Sequence, residues 1–177
     1  DQEILFLSSS CLRYDRHSEL EALTYQVMPN PWDDREKFYD AAQYLDEIYE
    51  RLLTPLGEYL NAVHQESHGK RYWRILIGPW LCQYLQVMYD RYIQLTEALA
   101  KHPESTTYTL DPGSFIVPQD TTEWDDFLTG DAYNLQIYSQ ISACMGCDFP
   151  ARPFSNGWPE TVGQRAPNEP TWGSTVK

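Results

Sequence analysis

The stretch Phe38-Tyr-Asp-Ala41-Ala-Gln-Tyr-Leu45-Asp-Glu-Ile48-Tyr-Glu-Arg-Leu52-Leu-Thr-Pro55-Leu56-Gly-Glu-Tyr59-Leu-Asn-Ala-Val63 decides the fold class. Its apolar positions Phe38, Ala41, Leu45, Ile48, Leu52, Leu56, Tyr59 and Val63 recur in steps of three and four, the period of one helical face. The spacing predicts one long helix carrying a single apolar stripe. Pro55 lies inside that stripe. It lacks an N–H and its ring collides with the carbonyl four residues back, which predicts a kink or break between Leu52 and Gly57.

Upstream, Pro29-Asn30-Pro31 forces an extended loop, because a residue before proline avoids the helical region. Asp33 and Asp34 follow, where carboxylates cap a helix by accepting from its free N–H groups. Downstream, His64 to Lys70 is a polar turn. Helical spacing then resumes from about Tyr72 to about Ala100 through Ile75, Cys82, Leu85, Tyr92, Leu95 and Leu99, so two long antiparallel helices are expected. Gly78-Pro79 either bends the second helix or marks its true start. Ile75, Leu76, Ile77, Trp80 and Leu81 surround that dipeptide, so this stretch is expected to be buried all round, at the centre of the core.

Ile4-Leu5-Phe6-Leu7, ending at Ser8-Ser9-Ser10, has the pattern of a strand buried on both faces. Thr106 to Leu110, closed by the turn Asp111-Pro112-Gly113, predicts a second strand. Asp120-Thr121-Thr122-Glu123 starts a third helix, in one or two pieces, that reaches Met145 through Tyr133, Ile137, Ile141 and Cys144. Strand, helices, strand, helix is the α/β order in which helices cover a few parallel strands. Residues 1–148 are therefore expected to form one domain. From Phe149 to Lys177 proline and glycine are dense and no periodicity survives, which predicts a tail or linker anchored by Phe149, Phe154, Trp158 and Trp172.

Asp and Glu number 26 against 13 Lys and Arg in 177 residues, a formal charge of −13. That balance repels nucleic acid and anionic membrane surfaces. A 42% hydrophobic share, 14% of the chain being aromatic, is too rich for disorder. No apolar run approaches the length of a spanning helix, and no basic, apolar leader is visible. Four cysteines are too sparse for a disulfide scaffold, so a cytoplasmic protein is expected.

Cys144 and Cys147 form a C-x-x-C without a second ligand pair, and it closes a helix where redox motifs open one. Metal is not expected there. Glycine-rich phosphate loops and the G-x-S-x-G elbow are absent from the sequence. What remains is the cluster His64, His68, Lys70, Arg71 and Arg74 at the junction of the long helices, which can hold an anionic sugar or phosphate by fork-like hydrogen bonds. The same residues also suit a solvated turn paired to Glu66, Asp33 or Asp34. Asp90-Arg91 is either a buried ion pair or two neighbours facing different ways.

Three segments carry a family resemblance: Pro31-Trp32-Asp33-Asp34-Arg35-Glu36-Lys37 onward, Arg71-Tyr72-Trp73-Arg74-Ile75-Leu76-Ile77-Gly78-Pro79-Trp80-Leu81, and Tyr89-Asp90-Arg91-Tyr92. They resemble the N-terminal part of a bacterial family of surface-carbohydrate transferases first named from spirochaete O-antigen loci. The resemblance covers roughly residues 4–141. Ser8-Ser9-Ser10-Cys11 departs from the Gly-Glu-Trp-Cys-like run of the family, and Pro55 sits where relatives continue the helix.

The resemblance implies a helix-rich, Rossmann-like N-terminal half of a two-domain glycosyltransferase-like fold. The chain would serve a sugar or glycolipid acceptor in lipopolysaccharide or O-antigen assembly, near the inner membrane face. The nucleotide-sugar donor would bind mainly in a C-terminal domain missing from this chain, which holds no cofactor and is expected to be inactive alone. For proton removal from the acceptor hydroxyl the candidates are His68, Asp34 and Asp90. Arg71, Arg74 and Lys70 would hold an anionic group and Trp73 would stack a sugar ring, with Asp131 and Asn134 added from a run that resembles the family's Asp-x-x-Asn segment. The competing expectation is a non-catalytic helical module that binds a partner protein. Convergence of Arg71 and Arg74 with His68 or Asp34 on one pocket separates the two.

Overall fold

The computed structural model describes residues 3–12 and 14–154. Trp158 and Trp172, expected as anchors, lie outside them. Strand β1 (Ile4–Phe6) and strand β2 (Tyr25–Val27) pair in parallel, with Leu5 opposite Gln26. Two short 3₁₀ turns and helix α1 (His17–Leu20) connect them. β1 is half-buried rather than covered on both faces, because it has one strand partner and the exposed Gln26 and Tyr25 rather than a second strand beside it.

Helix α2 (Arg35–His64) is a single helix of 30 residues, about 45 Å long at a rise of about 1.5 Å per residue. It runs through Pro55 without the expected break. Asp34 caps its start, its Oδ1 accepting from the N–H groups of Glu36 and Lys37. The buried line is Ala41, Leu53 and Gly57, which follows steps of four. The predicted stripe drifts off this line, leaving Tyr59 65% exposed and Leu52 and Val63 at the surface.

Helix α3 (Lys70–Leu76) and helix α4 (Gly78–Lys101) are two helices separated by Ile77, with Pro79 in the first turn of α4. Gly78-Pro79 is thus a true start, where the missing proline N–H costs nothing. The pair runs back along α2. Trp73 packs on Gly57, Tyr49 meets Gly78, Tyr89 meets Tyr44, and Lys37 pairs with Glu97. The stretch expected at the centre of the core is there only in its second half: Leu81 is buried and Trp80 packs against the core cluster, whereas Ile75 is 72% and Leu76 60% exposed on α3.

Strand β3 (Thr109–Leu110) is shorter than the sequence predicts and pairs in parallel with strand β4 (Ala151–Arg152) from the proline-rich segment. The Arg152 guanidinium lies 3.2 Å from the centre of the Tyr108 ring, and Ser114 Oγ accepts from Phe154 N–H. The third helix comes as two pieces, α5 (Thr121–Leu128) and α6 (Asp131–Cys144). Asp120 caps α5 through Thr122 and Glu123, as the sequence predicts. Trp124, Tyr133 and Ile137 form the core cluster with Trp80 and Tyr84 of α4 packed against them. The result is helix-rich α/β, with two short parallel strand pairs among the described residues.

Candidate functional site

The chain leaving β2 delivers the site. Met28 N–H donates to the carbonyl of Phe6, tying the end of β2 to the end of β1, and the turn Pro31–Asp33 follows at once. Asn30 Oδ1 accepts from Trp32 N–H and fixes that turn. Its indole then points at α4, where Trp32 Nε1 donates to Asp90 Oδ1 at 2.6 Å.

Asp90 is the hub. Its Oδ2 accepts from Arg91 Nη1 at 2.5 Å and from Gln94 Nε2 at 3.0 Å. Arg91 Nε and Nη2 both donate to Asn134 Oδ1 at 3.2 and 3.1 Å. Asn134 Nδ2 in turn donates to the carbonyls of Leu128 and Gly130 at the α5–α6 junction. Tyr138 donates to Gln94 Oε1 at 2.5 Å, and burial pushes its hydroxyl well above the usual tyrosine range, which keeps it a neutral donor. The Asp90 and Arg91 side chains are only 20% and 24% exposed, so the pair is half-desolvated and worth more than a surface pair.

Beside this network a cleft of about 420 Å³ opens between α2 and α4. Trp32, Phe38, Leu45 and Tyr89 supply apolar walls, and Asp46, Gln86 and Asp90 supply polar atoms. The volume falls in the range of small-molecule sites. An aromatic plate flanked by carboxylates and an amide suits a sugar ring, whose C–H face is apolar and whose hydroxyls donate. Trp32, one wall of the cleft, comes from the loop that leaves the carboxyl end of β2. Among the described residues no cluster could hold a metal ion, and Cys144 and Cys147 are free thiols.

The residues singled out in the sequence fall into two groups. Asp34 follows the loop after β2, and Asp90 and Asn134 belong to the network that Trp32 of that loop reaches. Asp34 spends its Oδ1 on the α2 cap, and Asp131 forms an exposed ion pair with Arg16 at 3.6 Å. His68, Lys70, Arg71, Trp73 and Arg74 lie toward the opposite end of α2. The side chain of Asn61 clamps the His68 backbone and accepts from Trp73 Nε1, which puts His68 on the order of 40 Å from Asp34 along the helix. His68 stacks on Tyr72 at 3.8 Å. Trp73 is buried. Lys70 and Arg74 both pair with Glu50, at 2.9 and 2.7 Å, and these two cations hold its carboxyl below the usual range, the Lys70 hydrogen bond foremost. Arg71 is exposed and forms no ion pair among the described residues.

Trp32, Gln94 and Tyr138 escaped the reading of the sequence. Gln94 stands one helical turn after Asp90, a signal that was there to use. No pattern of spacing announces the others.

No curated protein and no solved structure matches this chain. A family model described as the LIC12162 family transferase matches residues 1–161, and the chain belongs to that transferase family.

Proposed function

We propose that this chain is the acceptor-binding part of a glycosyltransferase of bacterial surface polysaccharide assembly, a Rossmann-like unit of a two-domain enzyme that works near the inner membrane face. The single observation that carries this is the α2–α4 cleft beside the Trp32–Asp90 hydrogen bond. The acceptor ring lies on the aromatic wall and turns a hydroxyl toward Asp90. Three of the four acceptor positions of that carboxylate are filled by protein donors, which leaves one for the substrate hydroxyl. As the hydroxyl oxygen attacks the anomeric carbon and the bond to the nucleotide phosphate breaks, its proton passes to Asp90. The donor and its leaving phosphate belong to a second domain.

Calorimetric titration of the chain with simple glycosides, free nucleotides and nucleotide sugars tests this reading. Binding of glycosides without nucleotides is expected. Tight binding of a nucleotide sugar would move the donor into this chain and overturn the assignment.

A second reading, an interaction module, is favoured by one observation. Lys70 and Arg74 pair with Glu50 rather than converging on a pocket, and Ile75 and Leu76 lie open on α3.

A further inference from the structure

The cleft has a charge character that the acidity of the whole chain does not by itself dictate. Among the described residues two that line it are carboxylates, Asp46 and Asp90, and the one lining cation is Arg91. That guanidinium is already committed, Nη1 to Asp90 and Nε and Nη2 to Asn134. The two cations that approach the rim are committed as well. Lys37, 5.8 Å from the Trp32 ring centre, pairs with Glu97, and Arg74, whose Cγ lies beside Gly78 at the Tyr49 end, pairs with Glu50. Asp46 is exposed on the cleft wall and forms no ion pair among the described residues. Among the described residues a ligand here meets carboxylate oxygens and no uncommitted positive charge.

Resting on the acceptor-site reading above, we infer that the cleft selects an amino-bearing or neutral sugar and discriminates against one that carries a carboxylate or phosphate. An ammonium near Asp46 replaces water with an ionic hydrogen bond, while a ligand carboxylate gains no partner and is repelled by Asp46 and Asp90. The aromatic wall is indifferent to this substituent, so the preference comes from the acids alone. It therefore shrinks as salt screens the exposed Asp46.

The test uses four methyl glycosides of one ring configuration: the glucoside, the 2-amino-2-deoxyglucoside, its N-acetyl form and the glucuronide. Affinities for the 177-residue chain are taken from nuclear magnetic resonance titrations at low ionic strength. The aminoglycoside is expected to bind about tenfold or more tighter than the glucuronide, with the neutral pair between them. Asp46→Asn is expected to remove the preference, bringing the aminoglycoside down to the affinity that the neutral pair shows for the same variant. A glucuronide equal to or tighter than the aminoglycoside overturns the charge preference alone. Failure of all four to bind overturns the acceptor site itself and this inference with it. An aminoglycoside preference that survives Asp46→Asn, with the variant folded, overturns the assignment of Asp46.

Discussion

Trp32 and Asp90, 58 residues apart in sequence, are joined by a 2.6 Å hydrogen bond that ties the loop after β2 to the middle of α4. A bond from a neutral N–H to a carboxylate is worth more than a neutral one, about 1.5 to 3 kcal/mol net. Trp32→Phe keeps most of the ring and removes the donor. The variant is expected to lose about 1 to 2 kcal/mol in urea denaturation, and Asp90→Asn to lose more, because Arg91 then faces no carboxylate.

Gly57 sets the approach of α2 and α3. A Cβ there would stand 2.8 Å from Trp73 Cδ1, in the body of the ring rather than at a flexible tip. Replacing a helical glycine by alanine ordinarily gains close to 1 kcal/mol, whereas overpacking costs about 1 to 3 kcal/mol. The clash wins. Gly57→Ala is expected to lower the melting temperature, and an unchanged or higher one would mean that Trp73 has room to retreat.

A Cβ added at Gly78 would collide with the far end of one side chain, the Tyr49 hydroxyl, and rest in ordinary contact with Arg74 Cγ. Tyr49 lines the cleft. Gly78→Ala is therefore expected to displace that ring with little loss of stability but a severalfold change in glycoside affinity, read by titration of the folded variant.

Gln65 closes α2 with φ at 56°, the left-handed conformation that costs a side-chain-bearing residue about 1 kcal/mol and glycine nothing. Gln65→Gly is expected to raise stability by up to about 1 kcal/mol, less what the freer unfolded chain takes back. Thermal denaturation checks the sign.

Glu50 is held below the usual glutamate range by Lys70, whose hydrogen bond is the larger cause, and by Arg74. The stability it lends to the α2–α3 contact is present above the unfolded value and lost as pH falls through the depressed one. Its carboxyl resonance followed against pH gives the midpoint directly. A midpoint at or above the ordinary value would mean that the two pairs do not persist in solution.

Much of the helical layer was legible in the residues. Asp34 and Asp120 are caps, Gly78-Pro79 is a start, and the antiparallel course of α2 and α4 follows from one polar turn between two periodic segments. The buried face was less so, since tyrosines and leucines line both sides of α2 and spacing alone does not say which side meets α4. β4 was invisible because two residues in a proline-rich stretch carry no alternation to count. For the site, Asp90 and Asn134 were singled out, but what links them is Arg91 bridging 43 residues of sequence. Lys70 and Arg74 looked like anion ligands because Glu50, which takes both, faces them from another helix.

The central claim is that the ligand site lies beside Trp32, between α2 and α4, and not at the His68–Arg74 end. Saturation-transfer measurements with the neutral methyl glucoside on three folded proteins test it most directly: the parent chain, Trp32→Ala and the double variant Arg71→Ala with Arg74→Ala. Transfer lost in Trp32→Ala and retained in the double variant is the predicted result. Transfer retained in Trp32→Ala and lost in the double variant would contradict it and put the site on α3.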